Sequence, residues 1–163
     1  MAQANSLARA VSRLAGFPPS VRSLLITFMF TSQVRFAGTG GIKFVELEEG
    51  RAVLTIRNQR KVQNHIRGIH AAAMALLAET ATGAVLGMTI PDTHIPLLKT
   101  MHVDYVRRAR GGLRAEAMLP AEMRQRVLSE DKGDFAVPIR VTDEEGQEPI
   151  KCQMVWAWVP RKK

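Results

Sequence analysis

The order of apolar and polar positions divides the chain into a helical beginning, one long apolar segment and a series of alternating segments. Residues 4–15 carry apolar side chains at helical spacing, and a second short helix is predicted over about 20–30. The apolar period then falls to two, and the segments 42–47 and 52–57 flank a tight turn at Glu49-Gly50. We therefore expect two helices followed by a β-hairpin.

The segment between Ala71 and Pro91 is apolar on every side and carries a single charged side chain, Glu79. A helix with this composition must be buried on most sides, and its many small residues allow a curved sheet to approach closely. We predict one long central helix over about 67–88. An ionised glutamate in such a helix is costly unless it is paired or used.

Alternating strands fill most of the chain after Pro91. A short surface helix interrupts them over 120–129, where proline suits a first helical turn. The predicted strands are 100–105, 113–119, 135–141 and 150–159. This order favours an α+β hotdog fold, in which a curved, mainly antiparallel sheet wraps round one long central helix, although the pattern alone also permits other α+β packings.

Length and composition fit one globular domain, with 163 residues of which 46% are hydrophobic. We divide it into an N-terminal helical extension over 1–35 and a hotdog domain over 36–163. The single cysteine, Cys152, excludes an internal disulfide, and the four histidines have no metal-ligand spacing, so neither a metal nor a cofactor is expected. No apolar stretch reaches the roughly 20 residues of a transmembrane helix.

The net charge of +8 favours binding to anions. Nucleic acid, an acidic membrane surface and a phosphate-bearing small molecule are the candidates. Nucleic acid is disfavoured because aromatic side chains, which stack on bases, make up only 6% of the chain. A cytoplasmic location is expected, and the acid-free N-terminus with Arg and Ser leaves the mitochondrial matrix as the alternative.

A series of residues around the start of the apolar segment resembles the signature of hotdog-fold thioesterases. They are Asn64, Gly68, His70 and Leu77-Ala-Glu79. The segment 103–111 is similar to the strand that follows the helix in that family. The nearest branch is the phenylacetate-degradation type or its uncharacterised relatives. The resemblance covers roughly residues 40–160 and implies a hydrolase that cleaves an acyl or aryl thioester of coenzyme A.

Thioester hydrolysis needs a carboxylate that activates water or attacks the acyl carbon, and donors for the developing oxyanion. Glu79 is the expected base or nucleophile. The backbone amide of Ala71, at the positive end of the helix, is the expected oxyanion donor. The family has paired glycines where this chain has Ala71 and Ala72. An alanine amide donates equally well, but its methyl group narrows the approach to the site.

Helix geometry separates the two expected catalytic groups. Eight residues at a rise of 1.5 Å put Glu79 about 12 Å from Ala71, so one thioester carbon cannot contact both within one chain. A homodimer, or a dimer of dimers, with the site shared across an interface is therefore predicted. The coenzyme A phosphates are expected to bind an exposed basic group formed by Arg107, Arg108 and Arg110.

The remaining candidate residues have more than one interpretation. Asn64 is expected to position the carboxylate or a water molecule, and His70 to cap or orient the helix start. Glu79 could instead be a structural carboxylate held by Asn64, a threonine or a histidine. Further candidate substrate contacts are Gly68, Ala72, Thr80 and Gly83, although Thr80 also fits as an ordinary helix residue and Gly83 as a packing point.

Two other functions remain open from the sequence. Hotdog dehydratases pair a histidine with a helix carboxylate fourteen residues later, and His65 and Glu79 have that separation. The proline-rich, phenylalanine-containing loop of those enzymes is absent. The second alternative is a non-catalytic protein that binds acyl-CoA, in which Ala71-Ala72 has closed the oxyanion site.

Overall fold

A computed structural model describes residues 4–162, so residues 1–3 and 163 of the predicted domain ranges lie outside the described part. The helices are α1 (Ser6–Ser12), α2 (Pro19–Gln33), α3 (Arg35–Gly40), α4 (Ala71–Gly87) and α5 (Ala121–Ser129). The strands are β1 (Lys43–Glu48), β2 (Arg51–Ile56), β3 (His94–Tyr105), β4 (Leu113–Met118), β5 (Gly133–Val137), β6 (Ile139–Asp143) and β7 (Ile150–Pro160). None of the helices within 4–162 has the length and hydrophobicity to cross a membrane.

The strands form two antiparallel groups that share one interrupted strand. The first group has the order β1-β2-β4-β6, and the second has the order β3-β7-β5. Pro138 separates β5 from β6 because proline has no N–H to give to a sheet. The chain therefore changes partner strands at Pro138, from β7 before it to β4 after it.

The helix α4 lies against both groups of strands, with β2, β3, β4, β6 and β7 all in contact with it. Its side chains form the centre of the hydrophobic core, and Leu77, Ala78 and Ala81 are fully buried. The predicted architecture, a curved antiparallel sheet around one long helix, is confirmed. The last predicted strand, 150–159, is apolar on both faces, as a central strand requires, and β7 lies between β3 and β5.

The central helix begins four residues later than the predicted start at 67. The side-chain Oδ1 of Asn64 accepts hydrogen bonds from the N–H groups of Ile66 and Gly68 at 3.1 and 3.0 Å, which holds this segment in a turn. Arg67 has a φ of 61°, which is incompatible with a right-handed helix. The prediction was wrong here because helical periodicity does not reveal a turn held by a side chain.

The N-terminal helices pack on the domain and on the far end of α4. In α2, the hydroxyl of Thr27 accepts a hydrogen bond from the N–H of Phe44 at 2.9 Å, and the rings of Phe30 and Phe44 have centroids 4.6 Å apart. The buried side chain of Asn5 donates to the carbonyl of Gly87 at 2.8 Å, which satisfies a carbonyl at the end of α4. These contacts fix the extension to the sheet and to the helix.

Two local predictions in this part of the chain differ from the structure. The second helix begins at Pro19, one residue before the predicted start at about 20, because proline is suited to a first helical turn. No element was predicted between about 30 and 42, yet residues 35–40 form α3, which ends where Gly41 takes a φ of 74°. The boundary at residue 35 between extension and domain stays a prediction.

Candidate active site

The start of α4 is organised by two side chains that leave one backbone amide unused. His70 precedes the helix, and its Nδ1 accepts a hydrogen bond from the N–H of Ala72 at 3.1 Å. The hydroxyl of Tyr105, at the end of β3, donates to the carbonyl of Ala71 at 3.0 Å. Among residues 4–162 the N–H of Ala71 has no acceptor. This free amide lies at the positive end of a 17-residue helix.

A cavity of about 290 Å³ opens beside this amide. Its lining includes four of the candidate residues from the sequence, namely Asn64, Gly68, Ala71 and Arg108. Ala72 lies on the other side of the helix start, where it lines a second cavity together with His70. The structure therefore places Asn64, Gly68, Ala71 and Arg108 on one side of the helix start. It places His70 and Ala72 on the other side.

The three candidate arginines have different environments. Arg107 is paired with Glu145 at 3.0 Å and lies 3.7 Å from buried Asp143, so much of its charge is used within the chain. Arg108 is exposed and donates to the carbonyl of Ile66 at 3.1 Å, on the wall of the cavity beside Ala71. Arg110 is exposed, and its backbone N–H donates to Asp143. Only Arg108 lines the candidate site in the described chain.

Glu79 lies two turns further along α4, in a different cavity. This cavity has a volume of about 300 Å³. It is lined by Phe30, Val34, Glu79, Thr80, Gly83, Pro96 and Trp156. The carboxylate is half-buried, and among the described residues no cation forms a salt bridge with it. Glu79 is thus the one charged group on the wall of an apolar cavity.

The surroundings of Glu79 act on its pKa in one main direction. Burial raises the pKa of this carboxyl, because the apolar wall disfavours the charged form. A hydrogen bond from the hydroxyl of Thr80 at 3.3 Å lowers the pKa and offsets part of the effect of burial. The carbonyl of Leu76 lies closer to the same hydroxyl, at 2.7 Å, and because a hydroxyl has one proton, the bond to Glu79 is the weaker of the two. A carboxylate with a raised pKa is a better proton acceptor than an ordinary surface glutamate.

Gly83 allows the indole ring of Trp156 to lie directly against α4. A Cβ atom at this position would come within 2.8 Å of that ring. The indole N–H of Trp156 donates to the hydroxyl of Thr82 at 2.9 Å, which fixes the ring one turn from Glu79. Gly83 therefore has the packing role that the sequence offered as its alternative, and it also lines the cavity.

The Asn64 and His65 side chains do not reach the Glu79 carboxylate within one chain. Asn64 holds the turn before α4, and His65 is exposed in the same turn. Of the three partners considered for a structural Glu79, only a threonine, Thr80, makes a hydrogen bond to it. Among the described residues, no group of three or more His, Cys, Asp or Glu side chains is placed to hold a metal ion.

Several residues at the two cavities were not identified from the sequence. Phe30 and Val34 lie in the N-terminal extension, and Pro96 lies in an early part of β3 that the strand prediction omitted. Tyr105 was predicted only as a strand residue. The apolar, two-faced pattern of the last strand was the one signal that could have pointed to Trp156, because a central strand must contact the helix.

Comparison with known families agrees with this architecture. A family model described as a domain of unknown function, DUF4442, matches residues 22–159. The chain belongs to this family. The match begins inside α2, so the family domain includes part of the predicted extension. No curated protein matches the chain.

Solved structures confirm the hotdog fold. PA5026 from Pseudomonas aeruginosa, a protein of unknown function described as a probable thioesterase, is 24% identical with a TM-score of 0.75, over 84% of this chain and 95% of that one. A variant of the thioesterase PA1618 from the same organism is 14% identical with a TM-score of 0.67, over 83% and 94%. The thioesterase SAV0944 from Staphylococcus aureus, also a variant, is 20% identical with a TM-score of 0.63, over 77% and 99%.

Proposed function

We propose that this protein is a thioesterase that hydrolyses an acyl-CoA at a site shared between two subunits. The observation that carries the proposal is Glu79, a carboxylate with a raised pKa on the wall of an apolar cavity. The names of the similar solved structures support the same class of reaction, since several are thioesterases. Coenzyme A enters as part of the substrate, and no separate cofactor is needed.

The proposed reaction uses two groups of the protein and one water molecule. The Glu79 carboxylate takes a proton from water while the water oxygen bonds to the thioester carbon. The negative charge that develops on the thioester oxygen is stabilised by the free N–H of an Ala71. The carbon–sulfur bond then breaks, and the proton passes to the departing sulfur, which leaves as the thiol of coenzyme A. The other product is the carboxylic acid.

The edge strand β3 supports the assembly of such a site from two subunits. Among the described strands β3 pairs only with β7, and its apolar side chains Leu97, Met101 and Tyr105 are 43–50% exposed. A long edge strand of this kind is a template for pairing with another chain. We infer that two copies of β3 pair antiparallel about their middle.

This pairing would bring the two catalytic groups together. Within one chain, Tyr105 contacts Ala71 at one end of β3, whereas Pro96 shares the cavity of Glu79 at the other end. An antiparallel pair reverses these ends. The free amide of Ala71 of the partner subunit would then approach the Glu79 cavity, although the two groups are about 12 Å apart along one helix.

Two further observations support the proposal. Arg108 provides an exposed cation beside the free amide, where a coenzyme A phosphate would enter. The crystallised SAV0944 variants replace a glutamine and a glutamate that are fifteen residues apart in that protein. Asn64 and Glu79 have the same separation in this chain.

Mixing two inactive variants tests both the reaction and the shared site. Glu79→Gln removes the base, and Ala71→Pro removes the N–H of Ala71. Proline suits the first position of a helix, and His70 has a ψ of 142°, as a residue before proline requires. Each variant alone should hydrolyse acyl-CoA at least about a hundredfold more slowly than the wild type.

Mixed dimers test whether the site is shared between subunits, because in a shared arrangement one of their two sites contains neither substitution. Refolding or co-expressing the two variants together should restore part of the wild-type activity. A mixture that stays as inactive as its components, although mixed dimers form, would contradict the shared site. If the wild type binds acyl-CoA but hydrolyses none of a broad acyl-CoA panel, the proposed enzyme activity is contradicted. The non-catalytic acyl-CoA-binding alternative is then favoured.

A further inference from the structure

We infer that the helix α2 forms the wall of the acyl-binding cavity, so that its last turns select the acyl group. This inference rests on the proposed function, because it assigns the Glu79 cavity to the acyl part of the substrate. Phe30, in the last turn of α2, and Val34, the residue that caps the end of α2, line the cavity together with Glu79. The end of α2 is therefore part of the proposed substrate site.

The chemistry of the cavity wall selects neutral acyl groups. Apart from Glu79 and Thr80, its lining consists of Phe, Val, Gly, Pro and Trp residues, and it includes no cation. An acyl group that carries its own carboxylate would bring a like charge close to Glu79, and no described residue of the lining would neutralise it, so such a substrate should bind far more weakly. Dicarboxylic acyl groups are therefore excluded, and apolar chains or rings are favoured.

The size of the cavity further limits the acyl groups that we expect it to bind. Apolar cavities of about 150 Å³ accommodate a benzene molecule. The Glu79 cavity, at about 300 Å³, has room for an aromatic ring with a short linker or for an alkyl chain of medium length. The indole ring of Trp156, which Gly83 admits against α4 and Thr82 holds by a hydrogen bond, lines the same cavity. We expect straight chains that exceed this volume to bind more weakly.

The position of α2 is fixed, which makes it a wall and not a mobile lid. Thr27 accepts from the N–H of Phe44, Ser23 donates to the carbonyl of the same residue, and Phe30 packs on its ring. Ile26, on the same side of the helix, is 1% exposed. Because the helix cannot move without breaking these contacts, the side chains of Phe30 and Val34 set a constant boundary for the acyl group.

Two substitutions in the wall should change the preferred chain length in opposite directions. Phe30→Ala enlarges the cavity, and Val34→Phe fills it. Phe30→Ala also removes a ring that packs on Phe44, so this variant could lose stability. Val34 is 39% exposed, and Val34→Phe therefore tests the same boundary with little effect on folding. The matched control is Phe28→Ala, since Phe28 lies on the outward face of α2 and is 72% exposed.

The measurement is the dissociation constant for a series of S-alkyl-CoA thioethers, which bind without being hydrolysed, by isothermal titration calorimetry. The wild type should bind medium chains best. Val34→Phe should weaken binding of the longest accepted chain by roughly tenfold while sparing the shortest, and Phe30→Ala should shift the optimum to longer chains. Phe28→Ala should leave the profile unchanged.

The outcomes separate this inference from the proposed function. If the wild type hydrolyses acyl-CoA but Val34→Phe leaves the chain-length profile unchanged, α2 is not the acyl wall and the inference is overturned. If the chain-length profile shifts but no thioester is hydrolysed, the assignment of the acyl cavity is supported and the proposed thioesterase activity is contradicted. S-butyl-CoA and S-(3-carboxypropyl)-CoA, two thioethers that differ only in a terminal methyl or carboxylate group, form a second matched pair, and binding of both with equal affinity would also overturn the inference; we expect about a hundredfold preference for the neutral one.

Discussion

Ala71 at the start of α4 and Glu79 two turns later have opposite physical environments. At the start of the helix Ala71 is exposed, its N–H has no acceptor among residues 4–162, and an arginine lies on the wall of the adjoining cavity. Two turns later Glu79 is half-buried among apolar side chains, and no described cation forms a salt bridge with it. One end is therefore suited to bind negative charge, and the other end to hold a single reactive carboxylate.

Under the proposed function, this difference explains why the two reactive groups of one helix do not act on each other within one chain. An amide that is the positive end of a helix would lower the pKa of a carboxylate placed beside it. The separation of about 12 Å along α4 keeps the two apart. In the proposed dimer, the free amide of the partner subunit's Ala71 would approach Glu79, so the opposite characters of the two ends would meet only across the interface, around the bound substrate.

The largest effect should come from Glu79→Gln, which removes the charge at the buried end. Hydrolysis of the best acyl-CoA substrate should fall about 10²–10⁴-fold, as expected for loss of a general base. In the wild type the rate should also fall as the pH drops through the raised pKa of Glu79, above the usual range for a glutamate. A pH profile of kcat/KM measures this.

The same substitution should increase stability, which distinguishes it from a general loss of structure. Burial raises the folded-state pKa of Glu79, so the stability that the neutral carboxyl contributes is present at low pH and is lost as the pH rises through that pKa. Glu79→Gln should therefore have a higher Tm than the wild type at neutral pH, and the difference should shrink in acid. A lower Tm at neutral pH would mean that the carboxylate has a structural role.

The next effect should come from the exposed end, where Ala71→Pro removes one N–H. The rate should fall about 10²–10³-fold through kcat, as it does when one oxyanion donor is removed. Ala71→Gly is the matched control, because it keeps the amide, removes the methyl group and should retain or raise activity. Equal losses from both substitutions would show that the methyl group or the helix start matters, and not the amide.

A smaller effect, on stability, should come from Gly83→Ala at the buried end. The new methyl group would meet the ring of Trp156 at 2.8 Å, so we expect a loss of about 1–3 kcal/mol from overpacking. In a chain of this size that lowers Tm by roughly 2–4 °C per kcal/mol. Gly87→Ala in the same helix is the control: its methyl group would lie 3.4 Å from Leu7, an ordinary contact, so Tm should stay constant or rise.

Much of the fold could be predicted from the sequence because each signal is local. The alternation from 113 to 119, the turn at Glu49-Gly50 and the apolar stretch around Glu79 each follow from spacing alone. The start of α4 could not be predicted so well, because the turn before it depends on a side chain, Asn64, that bonds to two amides. Helical periodicity carries no information on such a bond.

The candidate site could be predicted only in part, for a similar reason. The unusual composition around Glu79 identified the carboxylate, and helix geometry identified its separation from Ala71. The walls of its cavity come from four elements far apart in the chain, namely α2, α4, β3 and β7. Phe30 lies in the first of them and Trp156 in the last. No periodicity links these two residues, since only the packing of α2 on β1 and of β7 against α4 brings them together.

The smallest effect should come from Arg108, the cation on the wall of the cavity beside the free amide. Because Arg108 is exposed, its attraction for a phosphate is screened by solvent, and Arg108→Ala should raise KM for acyl-CoA about twofold to fivefold with kcat unchanged. The effect should shrink at high ionic strength. Arg114→Ala is the matched control, because Arg114 is also exposed but lies on β4 beside a different cavity. Equal increases in KM from both substitutions would mean that the overall charge of +8 attracts coenzyme A. They would contradict a specific phosphate contact of Arg108 at the start of α4.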